Sequence, residues 1–208
     1  MTVDRQRLAR PALIIAPRLL GAVVVSDVGD HRVAVRLTEV EAYEGKDDPA
    51  SHAFRGLTPR TAVMFGPSGH LYTYFTYGMH WCANIVSGPE GVASAVLLRA
   101  GEVIAGVDIA RSRRPAARRE SDLARGPARL ASCLGLGAAQ NGLDLCSTES
   151  PVRLESMPGR RPPGVAAGPR VGISAAAEHP WRFWLADEPT VSTYKAGGRK
   201  QARSGPAD

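Results

Sequence analysis

A chain of 208 residues, 44% of them hydrophobic, has apolar material for one globular core, and none of its apolar runs approaches the roughly 20 residues of a membrane-spanning helix. The net charge is +6, and of the 26 cationic side chains only Lys46, Lys195 and Lys200 are lysine, which suits a polyanionic partner without requiring one. Cys82, Cys133 and Cys146 are odd in number, widely spaced and free of any CxxC pairing, which argues against a disulfide framework or a zinc site and for a reducing, cytoplasmic setting.

Residues 11–25 are apolar, but Pro17 and Arg18 divide them into pieces too short for a signal-peptide core, so they read as a buried helix or strand. Residues 21–27 and 31–43 flank Val28-Gly29-Asp30 and predict an antiparallel hairpin. In the second arm Val33, Val35 and Leu37 alternate with Arg32, Ala34 and Arg36, and Glu39, Glu41 and Tyr43 extend the apolar series. Either the strand ends near Leu37 and both glutamates are solvated, or it continues and a carboxylate lies in the core. A buried carboxylate needs hydrogen-bond donors or takes a raised pKa, the condition of a general base near neutral pH.

Residues 44–69 form a long loop with turn punctuation at Gly66-Pro67-Ser68-Gly69. Its length points to a pocket wall. Residues 70–86 are dense in β-branched and aromatic side chains and predict two strands joined at Tyr77-Gly78, with Tyr77 either projecting from the turn or folding back onto the sheet. A further strand is expected over 94–99 and helices over 103–113 and 127–136, the latter opening at Gly126-Pro127. The arginines between Arg111 and Arg125 read as an exposed basic loop, and residues 195–208 as a disordered, basic tail.

Taken together these segments resemble the alkyladenine-type 3-methyladenine DNA glycosylases, the methylpurine-DNA glycosylase family. The resemblance spans nearly the whole chain and is carried by Thr38-Glu-Val-Glu-Ala-Tyr43, Asp48 to His52, Thr58-Pro-Arg60, Met64-Phe65, Leu71-Tyr-Thr-Tyr74, Tyr77-Gly-Met79 with Cys82 and Asn84, and Val96-Leu-Leu-Arg-Ala100, in that order. Weaker matches are Gly126-Pro127 with Leu130, Arg170-Val-Gly-Ile173 and Arg182-Phe183. It implies an α+β fold, one domain over residues 1–194 with a curved, mainly antiparallel sheet surrounded by short helices, and neither metal nor organic cofactor.

By the same resemblance Glu41 is the general base that activates water, and Arg99 helps to hold that water. Tyr43, His52 and Tyr74 wall the base pocket, Asn84 disfavours the amino group of guanine, and Tyr77 intercalates where the flipped nucleotide leaves the duplex. The implied partner is double-stranded DNA containing alkylated or deaminated purines, met by a monomer at the bacterial nucleoid. None of the three lysines lies in a matched motif, so a monofunctional hydrolase leaving an abasic site is expected, because a bifunctional enzyme needs an amine nucleophile. Three other readings compete: a DNA-lesion-binding protein without catalysis; an inverting O-glycosidase using Glu39 and Glu41, which two residues apart on a strand stand about 6.6 Å apart at Cα; and, more weakly because no ligand pair has the usual helical spacing, a metal-dependent hydrolase using Asp47, Asp48, His52, His70 or His80. Glu39 is assigned a structural role first. After Arg99-Ala100 this chain has Gly101-Glu102-Val103 where many relatives have Leu-Glu-Pro, which leaves the start of the next helix open.

Overall fold

The computed structural model describes residues 2–159 and 161–198. In chain order it forms α1 (Ala12–Leu19), β1 (Val23–Ser26), β2 (Val33–Tyr43), β3 (Leu71–Thr76), β4 (His80–Val86), β5 (Ala95–Ala105), α2 (Val107–Arg113), α3 (Pro127–Leu134), β6 (Val152–Ser156), β7 (Val165–Gly168) and β8 (Arg182–Leu185). The strands build one antiparallel sheet in the order β3-β4-β5-β2-β1-β6, with β8 added to β2 and β7 to β8. The expected α+β class and curved antiparallel sheet are present.

β2 runs unbroken to Tyr43, so the reading in which it ends near Leu37 is set aside. On one side β2 pairs with β5 over most of its length. On the other, β1 takes Val33 to Arg36 and β8 takes Glu39 to Glu41. The glutamates therefore lie in the middle of the sheet, flanked by strands on both sides, and both are fully buried.

They do not prolong the face of Val33, Val35 and Leu37, as alternation predicted. The pairing of β2 with β5 is irregular on both sides of Glu39. The core takes Val33, Val35 and Leu37 before this point but Val40 and Ala42 after it, while on β5 it takes Val96 and Leu98 and then Val103. Both strands change parity at one level, so β2 presents one apolar face to the core below Thr38 and the opposite residue set above it. Glu39, Glu41 and Tyr43 are thereby turned to the other side of the sheet.

α1 buries Ala12, Ile15, Ala16 and Leu19, the i, i+3, i+4, i+7 stripe of a core-facing helix, despite Pro17 within it. α3 opens with Pro127 at its first position as expected and buries Leu130, Ala131, Cys133 and Leu134. The helix expected from residue 103 starts later: Val103 and Ala105 remain in the ladder with Val35 and Ala34, and α2 begins only after Gly106, which has φ +72°. Strand pairing overrode local helix propensity there.

The tail expected from residue 195 falls, for residues 199–208, outside the described residues. Residues 195–198 carry no regular secondary structure, and the Lys195 carbonyl accepts the Gly172 N–H at 2.9 Å. Among the described residues no helix is long and apolar enough to cross a membrane.

Candidate active site

The parity change gives the upper half of the sheet two distinct faces. Leu71, Ala83, Ile85, Val96, Leu98, Val40 and Ala42 go into the core. Their strand neighbours Tyr72, Tyr74 and Thr76 on β3, Cys82 and Asn84 on β4, Leu97 and Arg99 on β5, and Glu41 and Tyr43 on β2 form the floor of a cavity of about 350 Å³. Ala50, Ser51, His52 and Met64 from the 44–69 loop close one side, and Val171 to Ile173 another. All seven residues singled out from the sequence, Glu41, Tyr43, His52, Tyr74, Tyr77, Asn84 and Arg99, line this one cavity.

Glu41 Oε1 accepts the Val171 backbone N–H at 2.7 Å and faces Arg99 Nη1 at 3.3 Å, and Oε2 accepts the Tyr43 hydroxyl at 2.9 Å. Burial raises the pKa of Glu41 above its ordinary value, against the lowering by Arg99, by the Val171 N–H and by Tyr43. The ionised form thus has donors on both oxygens and one adjoining cation, the surroundings of a usable base.

Glu39 is held differently. Its Oε1 accepts from Arg99 Nε at 2.9 Å, Arg182 Nε at 2.6 Å and Ser192 Oγ at 2.9 Å, and its Oε2 accepts from the Ser192 N–H at 2.7 Å. Four donors and no place in the cavity lining make Glu39 the anchor of two arginines. The acid role that an O-glycosidase would ask of it has no geometric support.

His52 stands at the cavity mouth, its ring edge-on to Tyr74 with centroids 4.4 Å apart and its Nδ1 3.1 Å from the Tyr72 hydroxyl. Desolvation of the imidazole and the nearby Arg60 hold its pKa at about 4, so it is neutral at physiological pH. Asn84 is buried and donates through Nδ2 to the Tyr72 carbonyl at 3.1 Å, which fixes its amide at the pocket edge.

Tyr77 sits where β3 turns into β4. Both Tyr77 (φ +51°) and Gly78 (φ +67°) are left-handed, and Met79 N–H donates to the Thr76 carbonyl at 3.2 Å, the pattern of a type I′ hairpin turn. A tyrosine in the left-handed region is uncommon, and this one is 82% exposed, so of the two readings of Tyr77 the projecting one holds.

The loop wall is pinned from below. Asp48 and Arg170, both fully buried, form a bidentate pair at 2.5 and 2.8 Å, and Arg170 also donates to the Ala42 carbonyl at 3.0 Å. The guanidinium lies 4.6 Å from the Tyr43 ring centroid and 5.0 Å from that of Trp181. Removing one member of such a pair costs about 3–5 kcal/mol.

Sequence reasoning did not assign roles to Tyr72, Arg170, Val171, Arg182 or Ser192. Tyr72 had a usable signal, since it precedes Tyr74 by two on one strand and must share its face. Val171 acts through its backbone and Ser192 through a contact 153 residues distant in sequence, for which local sequence holds no sign. Among the described residues no group of three His, Cys, Asp or Glu side chains is arranged to hold a metal ion.

A buried carboxylate and a guanidinium thus share the floor of an aromatic cavity beneath an exposed tyrosine on a tight turn. Residues 6–189 match the family model described as methylpurine-DNA glycosylase (MPG). The chain is 52% identical over 204 residues to a relative from Streptomyces avermitilis, covering 97% of this chain and 96% of that one. It is 55% identical over 193 residues to one from Frankia casuarinae, covering 88% of each, and 51% identical over 189 residues to one from Nocardia farcinica, covering 88% and 87%. All three are named "Putative 3-methyladenine DNA glycosylase". The chain belongs to the methylpurine-DNA glycosylase family, and so is a DNA-repair hydrolase acting on N-glycosyl bonds.

Proposed function

We propose that this protein removes methylated purines such as 3-methyladenine from duplex DNA by flipping the damaged nucleotide into the cavity and hydrolysing its N-glycosidic bond. The observation that carries the reading is the convergence of Glu41, Arg99 and the aromatic walls on one cavity beneath Tyr77. Tyr77 fills the gap that the nucleotide leaves in the base stack, lowering the cost of extrusion, which is a few kcal/mol and least at damaged bases. Tyr43, His52 and Tyr74 hold the purine by stacking, a contact worth about 1–3 kcal/mol per base and tolerant of base identity. Asn84 at the edge supplies discrimination against guanine.

Glu41 takes a proton from water as the oxygen attacks C1′ of a sugar with oxocarbenium character, and Arg99 orients that water and keeps Glu41 ionised. An alkylated purine leaves as a cation becoming neutral and needs no protein acid. Neutral lesions such as hypoxanthine need further help, so they are expected to react more slowly. Among the described residues no lysine lines the cavity, which supports monofunctional chemistry ending in an abasic site.

The test is base release from methylated duplex DNA and from a duplex with one hypoxanthine, comparing wild type with Glu41→Gln at matched DNA affinity. Release by wild type, loss in the variant with binding kept, and no borohydride-trapped covalent complex are expected. Binding without release from either substrate by wild type would bring forward the reading as a lesion-binding protein.

A further inference from the structure

Residues 190–195 lie beyond the residues matched to the family, yet residues 190–192 bond with the buried charges beneath the site. Thr190 Oγ1 is 2.8 Å from Thr38 Oγ1, and the Val191 carbonyl accepts Arg125 Nε at 2.8 Å. Ser192 then bonds with every polar group it has: N–H to Glu39 Oε2 at 2.7 Å, Oγ to Glu39 Oε1 at 2.9 Å and from Arg99 Nη2 at 3.1 Å, and carbonyl from Arg182 Nη2 at 2.9 Å. Three residues on, the Lys195 carbonyl takes the N–H of Gly172, beside the Val171 whose own N–H holds Glu41. A side chain at Gly197 would collide with the Ile173 carbonyl, so close approach at that wall requires glycine.

We propose that residues 190–195 form a strap that positions Arg99 toward Glu41, with Ser192 as its positioning residue. The proposal rests on the glycosylase reading only for what Arg99 is positioned to do. A guanidinium is planar, so two fixed nitrogens determine the direction of the third. Glu39 fixes Nε and the Ser192 hydroxyl fixes Nη2, which aims Nη1 at Glu41 Oε1. One hydroxyl has one proton: it donates to Glu39 and accepts from Arg99 Nη2, so a single atom bridges the anion and one arm of the cation whose Nε the anion already holds. Through Gly172 the same strap backs the second hold on Glu41, the Val171 N–H.

The groups that face Glu41 are Arg99 on β5, Glu39 and Tyr43 on β2, Tyr74 on β3, Cys82 on β4 and the Val171 N–H. Of these only Arg99 is a cation; in Ser192→Ala it loses one acceptor and Glu39 loses one of its four donors, and both losses act in the same sense on Glu41. Full-length wild type, Ser192→Ala and Ser192→Thr, each with carbon-13-labelled glutamate, are titrated by NMR at Glu41. Freeing Arg99 weakens the favourable charge beside Glu41. The Glu41 midpoint is therefore expected to rise by about half a pH unit in Ser192→Ala, a roughly threefold gain in proton affinity, and to return in Ser192→Thr, which keeps the hydroxyl.

Base release is followed in the same proteins at saturating DNA. The single-turnover rate is expected to fall at least about tenfold in Ser192→Ala with lesion-duplex Kd within about twofold, as misplacement at a reacting centre predicts. An unchanged Glu41 midpoint in folded Ser192→Ala overturns the strap, even if wild type releases base. A shifted midpoint with no release by wild type upholds the strap and overturns the glycosylase reading. If Ser192→Ala does not fold, Ser192→Cys, close in volume but weaker in hydrogen bonding, takes its place with the same outcomes.

Discussion

Glu41 is harder to ionise in the folded chain than in the unfolded one. Its pKa is raised above 4.5 in the folded chain, so ionisation costs more there than in the unfolded chain. The sign follows: the stability contributed by Glu41 is full below its unfolded pKa and is lost as pH rises through its folded value. Glu41→Gln removes that cost and is expected to stabilise the protein at pH 7, read as a higher Tm, while base release is lost. Calorimetry at pH 7 checks it, and a lower Tm would mean that the carboxylate's hydrogen bonds outweigh its desolvation. Catalysis has the opposite pH sense, because only the ionised form accepts a proton. The rate should fall on the acid side with a midpoint above 4.5, and His52, already neutral down to about pH 4, should add no inflection near 6.5.

At the scale of elements, the β3–β4 hairpin and the paired β2 and β5 do different work. The hairpin tip makes few contacts of its own, since Tyr77 and Met79 are 82% and 67% exposed. Tyr77→Ala is therefore expected to change folding stability by less than about 0.5 kcal/mol, since alanine keeps the Cβ and leaves the positive φ as strained as before. On the proposed reading, base release from duplex DNA should nevertheless fall at least about tenfold, because the gap that a flipped nucleotide would leave goes unfilled. Chemical denaturation and single-turnover release on the same protein separate the two; a large stability loss would mean that Tyr77 is a structural residue. β2 and β5 supply the rigid part. Flanked by β8 and β4 and irregular at one common level, they carry Glu41, Tyr43, Leu97 and Arg99 on one face at fixed spacing.

Across the whole molecule the positive charge is less available than its sum suggests. Arg113 donates to the Cys133 and Val28 carbonyls, Arg114 to Leu123, Arg111 pairs with Glu120, and Arg125 holds Val191. Much of the basic loop read from the sequence is thus internal scaffolding. Among the described residues Arg118 and Arg119 have no ion pair, and Arg129 with Lys195 lines a second cavity that shares Arg99, Pro127 and Val171 with the candidate active-site cavity. Arg129 is exposed, and in the proposed reaction it would lie near the backbone of the extruded nucleotide. Arg129→Ala is expected to reduce the slope of log affinity against log salt by about 0.9, one phosphate contact. The same titration on an Arg118→Ala, Arg119→Ala double variant assigns that pair to DNA if the slope falls and to solvent if it stays. An unchanged slope for Arg129→Ala would place the phosphate path elsewhere.

Much of this was legible in the residues alone. Alternation in β2, β3 and β4, the glycine beside Tyr77 and the proline at the start of α3 are local signals, set by side-chain period and backbone freedom within a few residues. The order of the motifs was enough to gather seven side chains that the fold does bring to one cavity. What only the tertiary structure decided is which way those side chains face and what holds them. The parity change near Glu39 depends on two strands being irregular at the same level, 60 residues apart for Arg99 and Glu39. The hold on Glu41 comes from a backbone N–H 130 residues away, and that on Glu39 from Ser192, 153 residues away. Such bonds are made by whichever groups folding brings within about 3 Å, and a period-2 or period-3.6 pattern carries no information about them.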